Sequence, residues 1–226
     1  MPLTFTGTLD RDAVVRAVDA IVDLVTAPEI ADAWERESVL PGMTIGGLTR
    51  HLVSQPECAV QFLRIQPPPP HAPVVSLVQL YRRTDWFAAP VDGAENTSIR
   101  DDFNAMAAGG PAHAIAILRR AYADLPAAIA AAGSTTYVPW QDCTLSTDDF
   151  LVVRLMEMVV HADDLAGSVE RPTPTFDNDV THPVLALLAV LAAEQHGTAV
   201  ALRTLARSER AGANASAFDF RGLRRG

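Results

Sequence analysis

The sequence predicts an all-α protein, a helical bundle with one long crossover connection, and three observations carry that expectation. Apolar residues recur at helical spacing along most of the chain. No strand-like alternation of any length and no internal repeat interrupts them. The connection between the second and third major helices takes about 40 residues and holds small helices of its own, unlike a simple up-down-up-down bundle.

The elements follow in order. Val14, Val18, Ile21, Val22 and Val25 form an apolar stripe behind Asp10, an N-cap residue, so the first helix runs to about Thr26. Pro28 opens a short second piece through Trp34, and Pro41-Gly42 turns the chain. Thr44 caps the next helix, which turns Ile45, Leu48, Leu52, Ala59, Phe62 and Leu63 inward and should kink at Pro56. Pro67 to Pro70 reads as a stiff spacer. A shorter helix with Val74, Val75, Leu77, Val78 and Tyr81 follows, then a loop from Ala88 to Thr97. Helix resumes from Ile99 to Ala132 with a break at Gly109-Gly110-Pro111. A loop with Tyr137, Pro139 and Trp140 leads to a capping-box-like Ser146-x-x-Asp149 and a helix from Thr147 to about Val169. Two more helices, near Asp179–Ala193 and Gln195–Arg207, precede a short, net positive tail.

Composition narrows the chemistry. The 226 residues are 49% hydrophobic and 20% charged with a net charge of −9, and all 18 basic residues are arginine. Without lysine the chain cannot build a Walker A loop, a kinase site, or Schiff-base chemistry from its own residues. The acidic balance argues against a nucleic-acid footprint. The first twenty residues lack the apolar core of a signal peptide, and no run approaches the roughly 20 apolar residues of a membrane span. Two cysteines, Cys58 and Cys143, make no disulfide framework, so the expected location is the cytoplasm.

The segment LVVRLMEMVVHADDLAGSV concentrates the ionisable groups. Arg154, Glu157, His161 and Asp164 fall within an arc of roughly 80° on a helix that is apolar nearly all round. Glu157 and His161, one turn apart, can chelate a divalent ion, and His51 lies on the inward stripe of its own helix as the natural third ligand. Two histidines and one carboxylate leave a coordination position open, as in catalytic sites. Such a donor set suits zinc, nickel, manganese or ferrous iron. Asp164 or Arg154 could orient Glu157 or His161, and Arg154 could instead neutralise Glu157. Cys58, two turns beyond His51, reads as a fourth ligand or as a small buried hydrophobe. The competing reading of the whole group is a set of hydrogen-bonded buried polar residues.

SVLPGMTIGGLTRHL, followed far downstream by VVRLMEMVVHADDLAGSV, resembles the metal-binding domain of mycothiol-dependent maleylpyruvate isomerases, within the DinB-like four-helix-bundle superfamily. HPVLALLAVLAAEQHGTAVALRTLARSERA is similar to the C-terminal helices of one actinobacterial branch, and an alanine-rich chain without lysine suits such a source. The family's motifs, a histidine in the second bundle helix and E-x-x-x-H in the fourth, match at His51, Glu157 and His161. Met43 stands where many members have tryptophan, and only helical residues follow Val169 where the isomerase carries an α/β domain.

The resemblance implies a bundle over residues 1–170 with a helical extension, 171–226, packed on it. It implies a divalent metal, zinc first, and mycothiol as thiol cosubstrate, acting as a transferase or isomerase on a small electrophile. Arg154 and Asp164 are the expected catalytic residues beside the metal ligands, with Arg154 available for a substrate carboxylate. The alternatives are a hydrolase in which the metal activates water, and a non-catalytic metal- or ligand-binding bundle. The resemblance also implies a homodimer, for which the helix around Val74–Phe87 offers an apolar face. Neither nucleic acid nor membrane is an expected partner.

Overall fold

The structure is a computed structural model that describes residues 2–84, 87, 93–210 and 217. The loop expected over 88–92 and the tail beyond 210 lie outside these residues, apart from Ala217. Helices are α1 (Asp12–Val25), α2 (Pro28–Asp32), α3 (Ile45–Leu63), α4 (Leu77–Arg82), α5 (Ala94–Met106), α6 (Gly110–Ala131), α7 (Thr147–Ser168), α8 (Asn178–His196) and α9 (Thr198–Ala206). Strands β1 (Thr135–Val138) and β2 (Cys143–Ser146) form an antiparallel hairpin between α6 and α7.

Four helices make the bundle. α3 packs against α6 and α7, and α1 packs against the same two, so α1 and α3 stand on opposite corners. Phe62 meets Phe150, Gln55 bonds Arg154 and His51 faces His161, which sets α3 antiparallel to α7. Asn104, just before α6, binds Thr44 at the start of α3, while Asp124 pairs with Arg64 at its end. α3 and α6 are therefore parallel neighbours. A tight turn cannot join parallel neighbours, and this geometry is the physical reason for the long crossover between them.

Local chemistry sets the helix ends. The N-cap of α1 is Arg11, which makes no side-chain cap, and not the expected Asp10, whose Oδ1 accepts from the Asp12 amide at 3.0 Å from one residue further out. Thr44 Oγ1 accepts from the Gly47 amide and Ser146 Oγ from the Asp149 amide, as expected. The Ser146 box is only half closed, because the Asp149 carboxylate instead accepts from Thr4 Oγ1 and the Phe5 amide. α3 runs through Pro56, which is buried inside it. Gly110, at φ +76, allows the break between α5 and α6.

Three expectations are corrected. Tyr137 lies in a strand, not a loop, with the register Tyr137↔Thr144; four residues per strand are too few for alternation to stand out. Val74 and Val75 lie outside α4: Val74 bridges to Thr144 and the Val75 amide donates to its carbonyl, while Ser76 and Gln79 close a capping box that starts the helix one residue later. Residues 94–97 are helical, so α5 begins before Ile99. Leu77, Leu80 and Tyr81 of α4 are buried within the chain.

The core joins α1, α3, α6 and α7, and α7 is buried without interruption from Thr147 to Met156. α8 packs on α7 and α1, with Val180, Val184, Leu187 and Leu191 turned inward, and α9 folds back on α8. Among the described residues no helix is long and apolar enough to cross a membrane.

Candidate metal centre

The start of α3 is fitted against the crossover. A Cβ on Gly46 would stand 2.6 Å from the Trp34 ring, and one on Gly47 would stand 2.2 Å from Asn104 Oδ1. The two glycines, poor helix formers, are there for close approach. Trp34 Nε1 donates to the Ala107 carbonyl at 3.0 Å. Asn104 Oδ1 accepts from the Thr44 amide at 2.9 Å and its Nδ2 donates to the Gly42 carbonyl at 3.0 Å. The neighbouring Phe103 lies flat on His51, with ring centroids 4.3 Å apart and planes 9° apart. The crossover helix thus forms one wall of the site. Sequence spacing carries no sign of this contact, since Phe103 sits in a polar helix with no buried residue.

Opposite Phe103, α7 presents Glu157, His161 and Asp164. His51 Nε2 lies 3.6 Å from Glu157 Oε2, and His161 Nε2 lies 3.2 Å from the same oxygen. One ligand atom from each of His51, Glu157 and His161 fits within 4.8 Å of the others. Metal bonds of about 2.0–2.2 Å in a tetrahedron require ligand atoms about 3.3 Å apart, and the two short edges bracket that value. The donor set therefore fits one divalent ion. The three side chains are between 14% and 17% exposed, which leaves a narrow opening for a further ligand.

Asp164 completes the arrangement behind His161. Its Oδ2 lies 3.0 Å from His161 Nδ1, so Nδ1–H donates to the carboxylate and Nε2 faces Glu157. Charge follows this geometry. Burial and the neighbouring His161 push the His51 pKa down to about 3, which leaves its imidazole neutral with a lone pair available. For His161 burial works in the opposite direction, but hydrogen bonds to Asp164 and Glu157 prevail and raise its pKa to about 9. Burial would raise the Glu157 pKa too; the hydrogen bond and charge of His161, with His51 and Arg154, hold it well below the usual carboxylate range.

Arg154 helps keep Glu157 ionised through its charge, while its hydrogen bond goes elsewhere. Its Nη1 donates to Gln55 Oε1 at 2.6 Å, and its guanidinium lies 5.7 Å from the ring centres of both Trp140 and Phe150. Gln55 is oriented for this role by donating Nε2 to the His51 carbonyl at 3.0 Å. Arg154 thus sits one turn along α7 from Glu157, among aromatics. Cys58 is outside the three-residue cluster; burial pushes its thiol pKa up, as for a small buried hydrophobe.

No curated protein and no solved structure matches the chain. A family model, described as the mycothiol maleylpyruvate isomerase N-terminal domain, matches residues 14–166, which take in all four bundle helices from the first turn of α1 nearly to the end of α7. The chain belongs to the mycothiol maleylpyruvate isomerase N-terminal domain family.

Proposed function

We propose that this chain is a divalent-metal-dependent thiol transferase or isomerase, with His51, Glu157 and His161 as metal ligands and mycothiol as the thiol cosubstrate. The observation that carries the reading is the mutual approach of three ligand atoms within 4.8 Å, on helices that a thiol-linked family model spans. A bound divalent ion, zinc first, would lower the pKa of a coordinated thiol and so supply a nucleophile near neutral pH.

The chain's own residues prepare that chemistry. His51 is held neutral and its ring is fixed by Phe103, so its nitrogen needs no proton removed before it can bind a metal. Asp164 keeps a proton on His161 Nδ1 and directs Nε2 into the site. Glu157 enters as a carboxylate and brings one negative charge. The stacked rings of Phe103 and His51 exclude water from one side of the centre. We further propose that 1–170 is the functional bundle and 171–226 an extension, a division supported by the packing of α8 on α1 and α7.

Metal analysis of untagged protein tests the reading. Wild type is expected to hold about one equivalent of divalent metal, and His51→Ala and Glu157→Gln to lose it. Equal metal in wild type and His51→Ala would reduce the triad to a polar core cluster.

A further inference from the structure

Away from the metal centre, α8 and α9 enclose an apolar groove of about 640 Å³. Val160 of α7, Leu185, Leu188 and Ala189 of α8, and Leu205 of α9 form its walls. Thr204 is the one polar side chain among the described residues that line it. Leu185 and Leu205 are 61% and 71% exposed, and Leu202, three residues before Leu205, is 60% exposed. So much open apolar surface on one helix pair calls for a cover. One described residue marks where that cover comes from. Ala217 lies well beyond the end of α9 at Ala206, yet it lines the groove, is 7% exposed and belongs to the hydrophobic core.

We propose that the chain's own C-terminal segment, through Phe218 and Phe220, is the occupant of this groove and clasps α8 and α9 to the bundle. The two rings follow Ala217 by one and three residues, and no other Phe, Tyr or Trp occurs after Phe176. Three residues of chain span at most about 10 Å. The α8 wall of the groove, from Ala192 back to Leu185, is about 10 Å long. Both rings therefore reach the groove from the seat at Ala217. Each ring brings a large apolar area to a lining that offers only aliphatic contacts and one hydroxyl. The groove also touches Val160, one residue before His161, so filling it backs the turn of α7 that carries a metal ligand.

The test replaces both Phe218 and Phe220 by serine in the full-length chain, which keeps its length and charge. The apolar dye anilinonaphthalene sulfonate is expected to fluoresce several-fold more with this variant than with wild type, at an unchanged helical signal. A synthetic peptide of residues 211–226 should return the variant's dye signal to the wild-type level and leave wild type unaffected. Equal dye fluorescence in the two proteins, or a peptide without effect on the variant, would overturn the proposal. Hydrogen exchange on wild type gives a measurement that does not depend on the folding of the double variant. The amides of 217–220 should exchange more slowly than in the free peptide, and Leu205→Asp should remove that protection. Exchange in wild type as fast as in the free peptide, or protection that survives Leu205→Asp, would overturn it. Protection that disappears on dilution of the wild type would give the groove to a second copy of the chain, and would overturn it as well.

Discussion

Raising the pH from 6.5 to 9 should tighten metal binding about tenfold per unit, because the metal must displace one proton from His161. A protonated His161 would share its Nε2–H with Glu157, 3.2 Å away, while its Nδ1–H donates to Asp164 at 3.0 Å. With the His161 pKa raised to about 9, about 99% of the metal-free protein carries the proton at pH 7. The apparent affinity there is about 100-fold below its limiting value. His51 adds no slope, since its pKa is pushed down to about 3 and its nitrogen is free across the whole range. Competition against a chromophoric chelator, run at half-unit steps, reads the slope directly. Asp164→Asn removes the carboxylate that helps hold the proton, so its plateau should begin at lower pH. An affinity that levels off by pH 7.5 in the wild type would refute the reasoning, for it would mean that His161 titrates as an ordinary histidine.

Further expectations concern stability and fit. In metal-free protein the raised His161 pKa contributes stability that is full below about 6.5 and is lost as pH climbs through about 9, whereas His51 withdraws stability as pH falls from about 6.5 towards 3, joined below about 4.5 by Glu157. Calorimetry on chelated protein should therefore find the highest Tm near pH 6 to 7, and a Tm still rising at pH 9 would count against these charges. Phe103→Ala should weaken metal binding by about 10–100-fold by freeing the His51 ring, and an unchanged Kd would show that the stack does not position the ligand. Gly46→Ala should destabilise by about 1–3 kcal/mol, because its Cβ meets the Trp34 ring at 2.6 Å and this outweighs the gain of about 1 kcal/mol in helix propensity. A rise in denaturation midpoint for that variant would contradict the close approach.

What the sequence reveals follows the range of the interactions involved. α1 and α3 are legible because each carries its own 3.6-residue stripe, α7 because it is apolar nearly all round, and Glu157 with His161 because four residues make about one turn. His51 is legible through its place on an inward stripe. The crossover follows from loop length alone, and the structure adds its cause, the parallel packing of α3 and α6. The hairpin is invisible because strands of four residues leave two positions per face. Phe103 on His51 and Gln55 on Arg154 span 52 and 99 residues of chain, and no local spacing encodes them. The sequence leaves Arg154 free to pair with Glu157; the structure turns its hydrogen bond to Gln55 and sets its guanidinium by Trp140. The glycines ahead of His51, costly for a helix, acquire a reason only once Trp34 and Asn104 stand against them.

The central claim is that His51, Glu157 and His161 hold a metal that takes up a thiol. Cobalt(II)-loaded full-length protein, titrated with mycothiol and followed by absorption spectroscopy, tests it most directly. A thiolate-to-cobalt charge-transfer band that grows to one equivalent, and that is missing from Glu157→Gln, is the outcome this structure leads to. A cobalt-loaded wild type whose spectrum does not change with mycothiol would contradict it.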